Sequence, residues 1–209
     1  MNMRTAMAAS LLLALTPTYA KKYVDYSPAY QEGYAKIAFL EGDWRAKNFQ
    51  PRRGEGGKIE WVPYEDTTRR FTRVFDGAAL IDAEGPETAA RKDPPMRFQG
   101  IYSYDQFKDA YRVIYTDDNT GLLDVYEGSF VDGHLVVSNQ SGGTYWKNGD
   151  QRFFGRVIFT FLPPDRFDVV FESSRDEGKS WLPASRTEHY RINAEDQATR
   201  SEPSSIDSH

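Results

Sequence analysis

The chain has 209 residues, a net charge of −5, 14 % aromatic residues and no cysteine. The absence of cysteine excludes thiol nucleophiles, thiolate metal sites and disulfide scaffolds. A mildly acidic balance without a basic stripe argues against nucleic acid and anionic membrane surfaces as partners.

Residues 1–20, MNMRTAMAASLLLALTPTYA, open with Arg4, continue with an apolar stretch from Ala6 to Leu15, and place small residues, Thr18 and Ala20, before a cleavage point after Ala20. This reads as a secretory signal peptide and predicts a periplasmic or secreted product. The apolar stretch falls short of the roughly 20 residues needed to span a bilayer, so membrane insertion is not expected. Its removal takes Arg4 away and leaves a net charge of about −6. Residues 194–209 are polar and nearly free of large apolar groups, the composition of a disordered tail. The span between, residues 21–193, has the size of one domain with one core.

Within that domain, Tyr30, Tyr34, Ile37, Ala38 and Phe39 recur at helical spacing and Gly42 ends the pattern, which predicts a short N-terminal helix. Thereafter alternation bounded by turn residues predicts strands over 43–49, 58–66, 68–76, 78–83, 97–104, 110–116, 122–131, 134–139, 152–162, 166–173 and 181–192. Asp132-Gly133 suits a two-residue hairpin with positive φ at both positions. Pro163-Pro164-Asp165 ends one strand and starts a tight turn. Longer connections over 49–57, 83–95 and 139–150 have the length of functional loops. Strands joined in series with no helices alternating between them exclude βαβ units. They predict an all-β fold: an antiparallel up-and-down barrel of about 8–10 strands, closed so that no edge is left open.

FLEGDW (39–44) brings a Gly-x-Trp to the start of the first strand. Here the chain resembles lipocalin-like (calycin) barrels, and the resemblance implies that Trp44 plugs a closed end, with Arg191 or Arg186 stacked over its ring. The stretches FTRVFDGAALIDAEG, GIYSYDQFKDAYR, GSFVDGHLVVS and ESSRDEGKSW extend the likeness over about residues 35–192. They resemble a largely uncharacterised bacterial family of lipocalin-like barrels with a Gly-x-Trp start and a late Asp-box-like turn. The resemblance implies a barrel and brings no established catalytic residues. His189 lies near the place where haem-binding barrels of similar shape carry a histidine, but its neighbours in RTEHYRIN do not match them, and no cofactor is expected.

Other motifs read as structure. Ser174-x-Asp176-x-Gly178-x-x-Trp181 matches the Asp-box of sialidase propellers, but it occurs once instead of repeating by blade, so it predicts a stiff hairpin. Asp117-Asp118-Asn119-Thr120-Gly121 begins like a calcium loop, yet Gly128 stands where the bidentate glutamate belongs, so a solvated turn and no metal site are expected. His134 follows a hairpin turn, where exposure is expected.

The candidate site is therefore a barrel interior holding a small apolar or amphipathic molecule, with Trp61, Tyr102, Tyr115, Val125, Val157, Phe159 and Phe171 as lining and Glu127 and His189 as polar contacts. The tyrosines of 98–117 serve equally as wall construction through cross-strand ring pairs. Glu127 shares a face with Leu123 and Val125; the same alternation also permits Asp124 and Tyr126 to point inward. An alternative reading is a cofactor-free isomerase, lyase or hydrolase with Glu127 or His189 as general base and Tyr102 or Tyr115 as donor.

Overall fold

The computed structural model describes residues 28–91 and 97–193; the expected signal peptide and tail lie outside the described residues. Helix α1 (Pro28–Ala38) precedes strands β1 (Gly42–Arg53), β2 (Ile59–Pro63), β3 (Thr67–Val74) and β4 (Ala79–Glu84). A short helix α2 (Pro86–Ala89) leads towards β5 (Phe98–Asp105), β6 (Ala110–Asp117), β7 (Leu123–Val131) and β8 (His134–Ser138). Helix α3 (Asn139–Gly142) then precedes β9 (Trp146–Asn148), β10 (Gln151–Leu162), β11 (Arg166–Ser174) and β12 (Leu182–Arg191).

Ten of these strands form one closed antiparallel ring in the order β1-β3-β4-β5-β6-β7-β8-β10-β11-β12. Closure is made by the β1–β12 ladder, which runs from Trp44↔Arg191 to Phe49↔Arg186. No exposed edge remains in the ring, which is the physical reason a chain of hairpins settles in this form. Strands β2 and β9 are additions outside the ring, paired to β1 and β10 respectively.

Turn chemistry acts as its sequence implies. Asp132 (φ 50°) and Gly133 (φ 83°) both take the positive φ that a tight hairpin demands. In the 174–181 hairpin, Ser174 Oγ accepts from the Gly178 amide (2.8 Å) and Asp176 accepts from the Ser180 amide (2.9 Å). Hydrogen bonds from the Ser180 hydroxyl (2.6 Å), the Ser180 amide and the Ser174 hydroxyl hold Asp176 well below the usual carboxylate range, at about 2. Asp117 accepts from the amides of Asn119 and Thr120, so this segment is a self-contained turn. His134 is half-buried instead of exposed, with Nδ1 2.9 Å from Thr160 Oγ1.

Two expected loops are in fact ordered extensions. The 49–57 stretch continues β1 to Arg53, paired to β2 by Phe49↔Pro63 through Arg53↔Ile59. Pro51 is tolerated there because β12 no longer flanks it and no second ladder needs its missing N–H. The 139–150 stretch contains α3 and β9, too short to carry a periodic signal.

One end of the barrel is sealed. Helix α1 lies across it with Tyr30, Gly33, Tyr34 and Ile37 buried, and Tyr111 Oη donates to Gly33 O at 2.9 Å. Trp44, fully buried, donates from Nε1 to Leu40 O (2.7 Å). The Arg191 guanidinium stacks over its ring at 4.1 Å, in the role expected of Arg191 or Arg186. Arg186 instead stands 6.0 Å from the Phe49 ring. Gly42 is required at this corner: its φ is 124°, and a Cβ would sit 2.9 Å from Arg191 Nη1. Above Trp44 the rings interlock, Trp44–Phe167 at 4.7 Å, Phe71–Phe167 at 5.9 Å and Phe39–Phe161 at 4.8 Å between centroids. Tyr102 on β5 and Phe159 on β10, from opposite walls, meet at 6.0 Å and form the top of this packed half.

Candidate functional site in the upper barrel

The half of the interior away from α1 differs in composition and in access. Counting along each strand from the buried residues of the packed half, the inward positions are Asn48 on β1, Thr67 and Arg69 on β3, and Asp82 and Glu84 on β4. Tyr115 on β6, Asp124 and Tyr126 on β7, Gly155 and Val157 on β10, Val169 and Phe171 on β11, and Ser185, Thr187 and His189 on β12 complete the set. Many of these, including Asn48, Thr67, Tyr115, Val169, Phe171, Ser185 and Thr187, are only half-buried although they face into a closed ring. These inward side chains keep solvent contact that those of the packed half lack. This upper half, with the Tyr102–Phe159 contact as its floor, is the upper chamber of the barrel.

Its two sides are chemically distinct. An aromatic side runs Tyr102, Tyr115, Tyr126, with centroids 6.0 and 5.4 Å apart in turn, then to Phe171 and Trp146, 5.9 Å apart. Gly155 is the hinge of this side. A Cβ there would lie 2.7–2.8 Å from Tyr126 Oη, Phe171 Cε2 and Trp146 Cη2, so only glycine lets the three rings converge. On the polar side, Thr187 Oγ1 donates to Asn48 Oδ1 (3.0 Å), and Asn48 Nδ2 donates to Thr67 Oγ1 (3.2 Å).

Between them lies a charged cluster. Arg69 Nε donates to Asp82 Oδ1 (2.8 Å), Nη1 reaches Glu84 Oε1 (3.4 Å), and Nη2 donates to Phe98 O (3.0 Å). Tyr102 Oη donates to Asp82 Oδ2 (3.3 Å) and lies 3.0 Å from Tyr115 Oη. Burial raises the Asp82 carboxyl above its ordinary value, against the opposing pull of Arg69. Burial, with the neighbouring hydroxyl and carboxylate, pushes Tyr102 well above the usual tyrosine range; burial does the same for Tyr115 and, with Asp124 beside it, for Tyr126. All three hydroxyls therefore stay protonated and act as donors and acceptors. Asp124, 1 % exposed, is held by Asn139 Nδ2 (2.9 Å) and by the Thr144 hydroxyl.

The same cluster splices the wall. The β4–β5 ladder stops at Asp82↔Gly100; above it the Phe98 amide donates to Glu84 Oε1 (3.0 Å) and the Phe98 carbonyl accepts from Arg69. A cleft of about 340 Å³ opens on this seam, lined by Ala83, Glu84, Arg97, Phe98, Gln99 and the Thr116–Asp118 end of β6. It is a rim feature, and it shares Glu84 and Phe98 with the internal cluster.

His189 sits 7 % exposed with its ring flat against Phe167, centroids 4.0 Å apart. Its Nδ1 makes no hydrogen bond. Burial, helped by the nearby Arg69 charge and only partly opposed by the Phe167 main chain, lowers its pKa to about 3, so the ring is neutral.

Of the residues expected to line the site, Tyr102, Tyr115, Val157, Phe159, Phe171 and His189 do point into the barrel. Three do not. Trp61 stands opposite Pro51 on the β1–β2 extension, on the face opposite that of inward-pointing Asn48. Val125 and Glu127 face outward, because Asp124 and Tyr126 occupy the inner positions of β7. Glu127 pairs there with Lys108 (3.0 Å) and Arg112 (3.2 Å) on the outer surface. The sequence reading missed Arg69, Asp82 and Glu84, since charged residues on a strand read as solvent-facing. It also missed Trp146, since β9 is three residues long. The alternating spacing of Asp82 and Glu84 opposite Arg69 and Phe71 was the available signal; the β3–β4 register aligns Arg69↔Glu84 and Phe71↔Asp82. Among the described residues no group of His, Asp or Glu is arranged to hold a metal.

No protein-family model matches the chain, and no curated protein matches it. Among solved structures it is similar to the crystal structure of Rv2717c from M. tuberculosis, with a TM-score of 0.51 and 14 % identity. The match covers 81 % of this chain and 100 % of that one, and at this identity it carries the barrel architecture alone.

Proposed function

We propose that this chain is an exported binding barrel that holds one small amphipathic molecule in its upper chamber. The observation that carries the reading is the contrast between the two halves: one end is sealed by α1 and interlocked rings, the other keeps its inward side chains half-exposed, and His189, on the β12 face that carries Ser185 and Thr187, leaves a buried Nδ1 without a partner. A buried polar atom left unpaired costs free energy, about 1–3 kcal/mol, that a bound group or water recovers. Tyr102, Tyr115, Phe171 and His189 are the contacts assigned to the ligand, with Phe159 in the floor and Val157 in the wall. Export rests on the character of residues 1–20.

Binding is favoured over turnover by two placements. Glu127, one candidate base, lies outside the barrel in an ion pair. His189, the other, is lowered to about 3, too weak a base to take a proton efficiently near neutral pH. Titration of labelled protein with an environment-sensitive apolar fluorophore, followed by NMR, tests the reading. Saturable 1:1 binding should shift the amides of Asn48, Tyr115, Phe171, Thr187 and His189. Shifts confined to the outer face, or no saturable binding, would overturn it.

A further inference from the structure

The charges that face the upper chamber are unequal. Among the described residues they comprise one guanidinium, Arg69 on β3, and three carboxylates: Asp82 and Glu84 on β4 and Asp124 on β7. At the rim, Asp117 adds the same sign and is held by its own turn, while Arg97 is paired with Asp118, so these rim charges balance except for Asp117. The inward positions of β1, β5, β8, β10, β11 and β12 in this half are uncharged: Asn48, Gly100, Val137, Val157, Phe171 and Thr187 among them. A proton retained on Asp82 would still leave two carboxylates against one cation. Arg69 is also committed, to Asp82, to Glu84 and to the Phe98 carbonyl, so it has little capacity left for an incoming anion. Low dielectric inside the ring makes this imbalance count for more than it would at a surface.

Two further features favour a cation, independently of the count. The rings of Tyr115, Tyr126, Phe171 and Trp146 gather on one side of this half, and aromatic rings attract organic cations over their faces. His189, on the β12 face that carries Ser185 and Thr187, is 7 % exposed and leaves Nδ1 without a partner. A neutral imidazole nitrogen can accept a hydrogen bond from an N–H group.

We infer that the ligand of the upper chamber is a protonated amine on an apolar body, its ammonium group set between the carboxylates and the aromatic side. This rests on the binding reading above and narrows it to one ligand class.

Three probes with the same alkyl chain separate the two claims: octylammonium, octanol and octanoate, titrated into the full barrel by calorimetry at neutral pH and low salt. Octylammonium should bind at least about tenfold more tightly than either of the others, a difference of about 1.4 kcal/mol. Glu84→Gln, at the chamber rim, should erase most of that preference, read as the ratio of octylammonium to octanol affinity in the same variant. Asp82→Asn should do the same where its melting temperature shows a folded protein. Equal or tighter binding of octanol or octanoate, or an ammonium preference that survives Glu84→Gln, would overturn the inference and leave a binding barrel of another selectivity. Binding of none of the three at millimolar concentration would overturn both.

Discussion

The guanidinium of Arg191 lies 4.1 Å above the indole of Trp44, joining the last residue of the final strand to the first strand of the ring. Its Nη1 donates to Glu41 O (2.9 Å) and its Nε to Pro164 O (3.1 Å), so one side chain ties β12 to the chain before β1 and to the β10–β11 turn. Arg191→Ala removes a stacked cation and these bonds together. A loss of about 2–4 kcal/mol follows from the ordinary worth of such contacts. Urea unfolding would measure it. Probe affinity in the upper chamber should stay within about twofold, because the change is confined to the sealed end.

Much of this end was legible from the sequence, and the reasons are local. Gly42-x-Trp44 and Asp132-Gly133 are short signals whose chemistry acts within a few residues of themselves. Strand positions followed from alternation for the same reason. Strand faces did not. On β7 the inner pair is Asp124 and Tyr126 and the outer pair is Val125 and Glu127, so both faces mix polar and apolar groups. What draws Asp124 inward is Asn139 and Thr144, 15 and 20 residues away. Periodicity cannot register a partner supplied by another element. Arg69 and Asp82 were missed likewise: each looks solvent-facing alone, and only the β3–β4 register shows that they compensate each other inside.

That compensation has a pH signature. Arg69→Ala would leave Asp82 and Glu84 facing the interior without their cation, a change that costs about 3–5 kcal/mol in buried pairs. Asp82 is raised above its ordinary 3.8 even with Arg69 present. A carboxyl whose folded pKa is raised contributes stability below its unfolded pKa and loses it as pH rises through the folded one. Removing Arg69 raises it further, so the deficit of the variant relative to the wild type should shrink as pH falls from 7 towards 4. Denaturant midpoints at several pH values test this; a deficit constant with pH would show that Asp82 does not titrate in that window.

His189 predicts the opposite slope. Its folded pKa, about 3, lies below its ordinary 6.5. The unfolded chain therefore binds a proton that the folded one refuses whenever pH lies between those values. Stability contributed by the neutral ring is complete above 6.5 and falls as pH drops, by up to about 1.4 kcal/mol per unit. In His189→Gln the component of acid sensitivity between pH 6.5 and about 4 should disappear, on top of a pH-independent loss from the missing stacking on Phe167. Parallel stability curves for the two proteins would refute the assignment of a buried, neutral imidazole.

Gly155 gives the sharpest test of the aromatic side. A single added methyl would sit 2.7–2.8 Å from Tyr126 Oη, Phe171 Cε2 and Trp146 Cη2, closer than non-bonded atoms allow. Gly155→Ala must therefore move at least one ring. Overpacking of this kind costs about 1–3 kcal/mol. The rings belong to the less buried half of the barrel, and Trp146 is only half-buried, so the displaced group can shift towards the surface. The stability loss should lie at the low end of that range, while probe binding in the chamber falls by about tenfold or more and the tryptophan emission shifts with the altered surroundings of Trp146. A crystal structure of the variant with all three rings unmoved, or unchanged probe affinity despite their displacement, would remove the aromatic side from the binding site. The sealed end offers the control: Arg191→Ala lowers stability and spares affinity, whereas Gly155→Ala lowers affinity more than stability. Only a molecule whose two halves have separate roles, one closing the barrel and the other receiving a ligand, produces that crossed pattern.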